Sequence, residues 1–320
     1  MSTMLVTGGA GFIGSNLVDR CVREGRRVVI VDNFDSFYDP ARKRLNLSGS
    51  LQSPRVTLVE ADIRDARAMQ TLFEDHRFDT VVHLAARAGV RPSIQDPLLY
   101  ADVNVTGTVV LLDCARRSGC RRFIFASSSS VYGNNRKVPF SESDPVDHPI
   151  SPYAATKKAG ELICHTFHHL YQLPVTCLRF FTVFGPRCRP DLAIAKFTSL
   201  IDRGEVVPMF GDGSMRRDFT HIDDILDGLT RAIDRCSGFH IYNLGESRPI
   251  ELRRMIDVIA EALGKPARIE RHPQPPGDVD VTYADVSRAQ AELGYEPRVR
   301  FEDGIADYVA WYRSFQGERR

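Results

Sequence analysis

The stretch Met4–Gly14, MLVTGGAGFIG, decides how the rest of the chain is read. A short apolar run ends at Thr7 and passes straight into Gly8-Gly9-Ala10-Gly11-Phe12-Ile13-Gly14, after which SNLVDRCVREG carries the apolar spacing of a helix. Glycines spaced in this way between a strand and a helix let the backbone approach a pyrophosphate. They also leave the free amides of the first helical turn facing its charge. Such spacing is a weak signal alone and gains weight from position: a second apolar run, Val28–Asp32, closes on an acid 18 residues after Gly14. A carboxylate there accepts hydrogen bonds from both ribose hydroxyls and repels a 2′-phosphate, so NAD is expected rather than NADP.

Outward from this turn, Val56–Glu60, Thr80–Leu84, Phe123–Ser127 and Val175–Phe180 are brief, apolar on both faces and separated by helix-length intervals. Buried parallel strands joined by crossover helices look like this. The fold class expected is α/β, a Rossmann-type doubly wound parallel sheet. From about Phe181 the rhythm changes, with Pro and Gly dense in GPRCRPD, FGDGS and HPQPPGD. A smaller C-terminal α/β substrate domain is therefore expected over 181–320, after a dinucleotide-binding domain over 1–180. The run Phe239–Leu244 is expected to bring 220–245 back to the first sheet, followed by an amphipathic helix, Leu252–Leu263, ending at Gly264.

Composition narrows the function classes. In 320 residues, 42 basic side chains balance 41 acidic ones, which gives no polybasic field for a nucleic-acid backbone. No apolar run approaches the roughly 18 residues that span a bilayer, and the first residues lack a charged leader, so no membrane partner and a cytoplasmic location are expected. Seven scattered cysteines without a Cys-x-x-Cys pair suggest reduced thiols rather than disulfides or zinc. His165, His168 and His169 read as a solvated helix face, so no metal is expected.

Tyr153 and Lys157, in SPYAATKKAGEL, lie four residues apart and share a helical face. A phenol with a reference pKa near 10 is a poor base at neutral pH; lowering it by about three units takes roughly 4 kcal/mol. An adjacent ammonium and the positive ring of oxidised NAD can supply that. Upstream, the strand FIFA ends in Ser127-Ser128-Ser129-Ser130, hydroxyls at the carboxyl end of a parallel strand, where open α/β sheets bind ligands. Asp62, in VEADIRD, suits either the adenine edge of the cofactor or a helix N-cap.

Taken together, TGGAGFIG, Asp32, HLAARAGVRPS, SSSSVYG and SPYAATK resemble the extended short-chain dehydrogenase/reductases, in their NAD-dependent nucleotide-sugar epimerase/dehydratase branch. The resemblance runs through nearly the whole chain. It implies that Gly8, Gly11 and Gly14 hold the pyrophosphate, that Asp32 holds the ribose, that Tyr153 is the acid/base and that Lys157 serves both ribose and tyrosine. Ser128 aligns with the reactive Ser/Thr of the family, with Ser129 its nearest rival. Asn104, in DVNVTGT, matches an asparagine that supports the cofactor region. The implied cofactor lining adds Phe12, Ile13, Asn33, Asp62, Ile63, Leu84, Ala85 and Ala86. A homodimer is implied, through helices near Leu98–Arg117 and Tyr153–Tyr171.

Departures from the family pattern refine the branch. Dehydratases carry an Asp-Glu pair before Val-Tyr-Gly, where this sequence has Ser129-Ser130, so water loss is disfavoured. The run FFTVFGPRCRPDLAIAKF is similar to UDP-glucuronate 4-epimerases. This implies that Arg189, aided by Thr182, grips the sugar carboxylate and restrains its loss as carbon dioxide. Arg217, in FGDGSMRRDFTHIDD, is the implied diphosphate contact and Asp278 lies near the uridine ribose; Pro275 stands where an arginine is common, and Arg271 is its substitute. The reaction implied is inversion at C4 of a UDP-sugar acid through a transient 4-keto form with bound NAD. The alternatives are a UDP-glucose/galactose 4-epimerase, a UDP-glucuronate decarboxylase and, outside enzymes, an NAD-sensing regulator.

Overall fold

The computed structural model describes residues 3–273 and 281–317 and forms two compact units. One comprises Met1–Gly133, Glu142–Phe180 and Gly228–Tyr242; the other comprises Asn134–Ser141, Phe181–Asp227 and Asn243–Arg320.

The first unit is built on strands β1 (Thr3–Thr7), β2 (Arg27–Asp32), β3 (Val56–Glu60), β4 (Thr80–His83), β5 (Arg122–Ser128) and β6 (Val175–Phe180). With the Phe239–Leu244 strand beyond β6 they make a seven-stranded sheet in the order Phe239–Leu244, β6, β5, β4, β1, β2, β3. Every pairing from β6 across to β3 is parallel. The chain winds outward from β1 to β3, then returns to the other side of β1 for β4, so the winding direction reverses between β1 and β4. In such a sheet a ligand crevice opens beyond the carboxyl ends at the reversal. Thr7 of β1 stands opposite His83 of β4 there, and the Leu84 amide donates to the Thr7 carbonyl at 3.1 Å.

Burial explains the strand sequences. All four residues of β4 and all six of β6 are buried, as expected of strands covered on both faces. On one face Leu5, Val29, Val81, Phe123 and Val175 pack with Leu72, Leu111, Leu112 and Cys164 from the flanking helices. Pro97–Arg117 is helical throughout, with a π-turn at Asp102–Thr106, and is long and apolar enough to cross a membrane by those measures alone. That qualifies the expectation that no segment comes near this length. Here the helix supplies Tyr100, Leu111, Leu112 and Ala115 to the core, and Asp102, Asp113, Arg116 and Arg117 interrupt it with charge.

The second unit uses short strands. Thr182–Phe184 pairs in parallel with Phe219–His221, and Val206–Phe210 with Arg268–His272. Arg216–Arg217 lies between Ile250–Glu251 and Val281–Thr282. Their loops converge on Asp218, which is buried and accepts from the amides of Glu246 (2.8 Å), Ser247 (3.0 Å) and Ala284 (2.9 Å). One carboxylate thus satisfies three backbone donors that ladders this short leave over. The Leu252–Leu263 helix ends where the sequence places its end, at Gly264 in the left-handed region. All seven cysteines are free and buried, and burial pushes the thiols of Cys114 and Cys120 up to about 11.

Candidate active site

In the first unit, the glycine turn follows β1 as the spacing predicts. Gly8 has φ +71°, and a Cβ there would lie 2.7 Å from the Ala85 nitrogen. A Cβ on Gly14 would lie 2.2 Å from the Gly8 carbonyl oxygen, so only glycine lets the first turn of the helix press onto the loop. The Phe12–Arg23 helix has Gly11 at its N-cap and no side chain capping it. Its first amides, on Phe12, Ile13 and Gly14, are therefore available to an anion. Leu84, Ala85 and Ala86 continue from β4 beside this turn; the Ala85 amide donates to Thr7 Oγ1 at 3.3 Å.

Asp32 closes β2 as a buried acid. Its Oδ2 accepts the Ala10 amide at 3.0 Å and its Oδ1 the Phe34 amide at 2.9 Å. Burial raises its pKa, and these two amides and Lys43 oppose the rise. Each oxygen keeps a lone pair, which suits a vicinal diol. The cradle, the uncapped amides and this acid fit a dinucleotide. Asn33 donates to Asp62 at 3.0 Å, and Arg64 grips the same carboxylate, holding it down at about 2. The helix-cap alternative for Asp62 is corrected here: the N-cap of the Ala66–Asp75 helix is Asp65, whose side chain accepts the Ala68 amide. Asp62 instead ties its own turn together. Ile63 is buried, its side chain filling the space a Cβ on Gly107 would need.

Asn104 sits in the π-turn and works as a clamp. Its Oδ1 accepts the Arg87 amide at 2.8 Å, and its Nδ2 donates to the Arg87 carbonyl and to Thr156 Oγ1, both at 3.0 Å. Thr156 donates in turn to the Tyr153 carbonyl at 2.8 Å. The asparagine thus joins the loop after β4 to the helix that carries Tyr153; π-turns recur at such functional positions. Buried His83 bridges Thr7 and Thr108 at 2.8 and 3.0 Å, and burial drives its pKa down to about 3, so it stays neutral.

The Pro152–Tyr171 helix begins with Ser151 capping Ala154 and Pro152 in the first position. Lys157 is buried, donates to the Ala126 carbonyl at 2.7 Å and lies 5.9 Å from the centre of the Tyr153 ring. Desolvation lowers its pKa to about 8. With Lys157 proposed to favour a Tyr153 phenolate, we expect kcat to fall as pH rises through about 8, where its ammonium is lost. A Lys157→Met variant should be slow at every pH and should lack that alkaline fall, as kcat profiles between about pH 6 and 10 will show. The stability sign is opposite: the unfolded lysine keeps its proton to 10.5, so folding stability rises between about pH 8 and 10.5.

Strand alternation separates the first two of the four serines. Ser127 turns its hydroxyl to Glu161 Oε1 at 2.7 Å. Ser128 points the other way and accepts the Ser130 amide at 3.1 Å, at the head of the turn Ser129–Tyr132. Ser127 joins a buried ion pair that sequence reasoning alone does not reveal. Arg179 and Glu161 form a buried pair, Nε to Oε1 at 2.8 Å and a second guanidinium nitrogen to Oε2 at 2.9 Å. The signals were an arginine inside the apolar strand VTCLRF and a glutamate eight residues after Tyr153.

In the second unit, Thr182 opens the Thr182–Phe184 strand, and its amide donates to the Asp218 carbonyl. Arg189 has its guanidinium forked onto Asp191, at 3.0 and 2.9 Å. Arg217 donates to the Arg216 carbonyl at 2.9 Å, and Arg271, in the Arg268–His272 strand, stands opposite Met209 of the neighbouring strand. Asp278 and Pro275 lie outside the described residues. Among the described residues no three His, Cys, Asp or Glu side chains are placed to hold a metal ion.

Residues 5–308 match the family model described as GDP-mannose 4,6 dehydratase. The chain is 44% identical to UDP-glucuronate 4-epimerase 5 of Arabidopsis thaliana, over 98% of this chain and 76% of that protein. It is 41% identical to the UDP-glucuronate 4-epimerase of Thermodesulfobacterium geofontis, over 97% and 96% of the two. Among solved structures it resembles the UDP-glucuronic acid 4-epimerase of Bacillus cereus in complex with UDP-glucuronic acid and NAD. The TM-score is 0.91 at 32% identity, covering 98% and 99% of the two chains.

Proposed function

Because the chain belongs to the GDP-mannose 4,6 dehydratase family, within the NAD-dependent extended short-chain dehydrogenase/reductases, we propose that it interconverts UDP-glucuronic acid and UDP-galacturonic acid. The observation that carries the reaction type is the pairing of Tyr153 and Lys157 beside a strand tipped with serines. Where a dehydratase needs an acid and a base, the turn after that strand offers only the hydroxyls of Ser129 and Ser130. Such a site makes and remakes a ketone without expelling water. The acid substrate follows from the likeness to UDP-glucuronate 4-epimerases at 41–44% identity.

Bound NAD supplies the acceptor and later the donor for the hydrogen on C4. The residues do the rest. Tyr153, as phenolate, takes the proton of the 4-hydroxyl and afterwards returns it to the 4-oxygen of the inverted centre, while Ser128 hydrogen-bonds the same oxygen. Lys157 keeps positive charge beneath the phenol. Thr182, Arg189, Arg217 and Asp278 hold the acid sugar and its nucleotide, so the 4-keto form turns over without leaving. Incubating the purified protein with UDP-glucuronate and separating the products tests this reading. UDP-galacturonate is expected; a UDP-pentose would make it a decarboxylase, turnover of UDP-glucose alone a glucose/galactose epimerase, and NAD binding without turnover a sensor.

The protein is proposed to work in the cytoplasm, where seven free thiols stay reduced. A homodimer is proposed through the helices Pro97–Arg117 and Pro152–Tyr171. Leu162 and Leu170 lie eight residues apart on one face of the second, 57% and 60% exposed, and Leu98 on the first is 81% exposed. A second copy would cover this apolar face. Leu162→Glu with Leu170→Glu should halve the mass seen by light scattering; an unchanged mass in the folded variant would refute the interface.

A further inference from the structure

We propose that the buried pair Glu161–Arg179, joined by Ser127, is a positioning device that fixes Tyr153 and Lys157 against Ser128; the proposal rests on the reaction read above. Tyr153, Lys157 and Glu161 occupy positions i, i+4 and i+8 of one helix, hence one face. The two lower turns of that face bind consecutive residues of β5. Lys157 donates to the Ala126 carbonyl at 2.7 Å, and Glu161 accepts the Ser127 hydroxyl at 2.7 Å. Arg179, opposite Ser127 in register, closes the arrangement from β6. It engages both oxygens of Glu161 and donates to Tyr132 Oη at 3.0 Å, and Tyr132 ends the turn that starts after Ser128. One guanidinium thereby links the reactive helix, the serine strand and the serine turn.

Energetics favour geometry over stability as the reason for the pair. Both side chains are 1% exposed, and an ion pair that deep recovers little more than the cost of its own desolvation. Apolar residues of the same volume would hold the fold as well but would not fix direction. The Ser127–Glu161 bond does so. Because side chains alternate along a strand, turning Ser127 to Glu161 turns Ser128 to the opposite face. The Lys158 ammonium, 3.7 Å from Glu161 Oε2, also faces the pair.

The test uses the full-length protein loaded with NAD and two near-isosteric variants, Ser127→Ala and Glu161→Gln. Both are expected to retain NAD and to leave KM for the UDP-sugar unchanged. We expect kcat to fall about 10-fold in Ser127→Ala and about 100-fold in Glu161→Gln, since misplacing reacting groups by about 1 Å costs about 10²-fold. A second readout needs no substrate: ultraviolet titration of the Tyr153 phenolate, read against Tyr153→Phe. Ser127→Ala changes no charge, so a rise of its phenolate pKa reports displacement of Lys157 from the phenol. If Glu161→Gln does not fold, Ser127→Ala decides alone. Unchanged kcat, a rise in KM, or an unmoved phenolate in folded Ser127→Ala overturns the proposal. If the wild type does not epimerise UDP-glucuronate, the functional reading fails by itself and the titration still decides this inference.

Discussion

Replacing Tyr153 by phenylalanine should lower kcat by about 10³-fold while NAD remains bound, as an assay of turnover beside the ratio of bound NAD to protein will show. The variant keeps the ring, which packs edge-on against Tyr100 with centres 6.3 Å apart, and it leaves the bond from Lys157 to the Ala126 carbonyl intact. Only the oxygen proposed to carry the proton is lost. Neighbouring phenols do not stand in for it. Tyr100 donates its hydroxyl to the Ala88 carbonyl at 2.7 Å, and Tyr132 is bonded to Arg179. Activity within about tenfold of wild type would transfer the proton role to another group.

The second large effect is expected at Arg189. Arg189→Ala should raise KM for UDP-glucuronate about 30-fold, equivalent to about 2 kcal/mol for a charge-assisted pair, and should release a UDP-pentose by-product. Turnover of UDP-glucose, which has no carboxylate, should change little. The size is bounded by what the arginine does without substrate: its fork already holds Asp191, so the sugar acid exchanges one carboxylate for another. Unchanged KM and no pentose would remove Arg189 from the acid site.

Much of the first unit was legible because local chemistry and tertiary role coincide there. A strand buried on both faces must be apolar throughout, which made β1, β2 and β6 readable, and the Gly8–Gly14 turn tolerates so little side-chain volume that its glycines announce it. Asp32 was found because its acid had to end β2. Asp62 was open because an acid beside another acid three residues on leaves either able to cap a helix, and the backbone chose Asp65. The serines blurred for a different reason: which hydroxyl faces which way depends on Glu161, a partner far along the chain. The same holds for Arg179, whose counter-charge lies 18 residues away with no periodic relation to it. In the second unit, two-residue strands paired through Asp218 carry too few residues for any periodicity to register.

The cysteines give the molecule a built-in gauge of its own motions. Each thiol is enclosed, and with Cys114 and Cys120 protonated well past neutral pH almost no thiolate meets an alkylating reagent in the closed protein. Labelling therefore waits on local opening. Because Cys164 lies on the helix of Tyr153 and Cys177 on β6, mass spectrometry of timed alkylation can clock how often that helix parts from its sheet, with no probe engineered in.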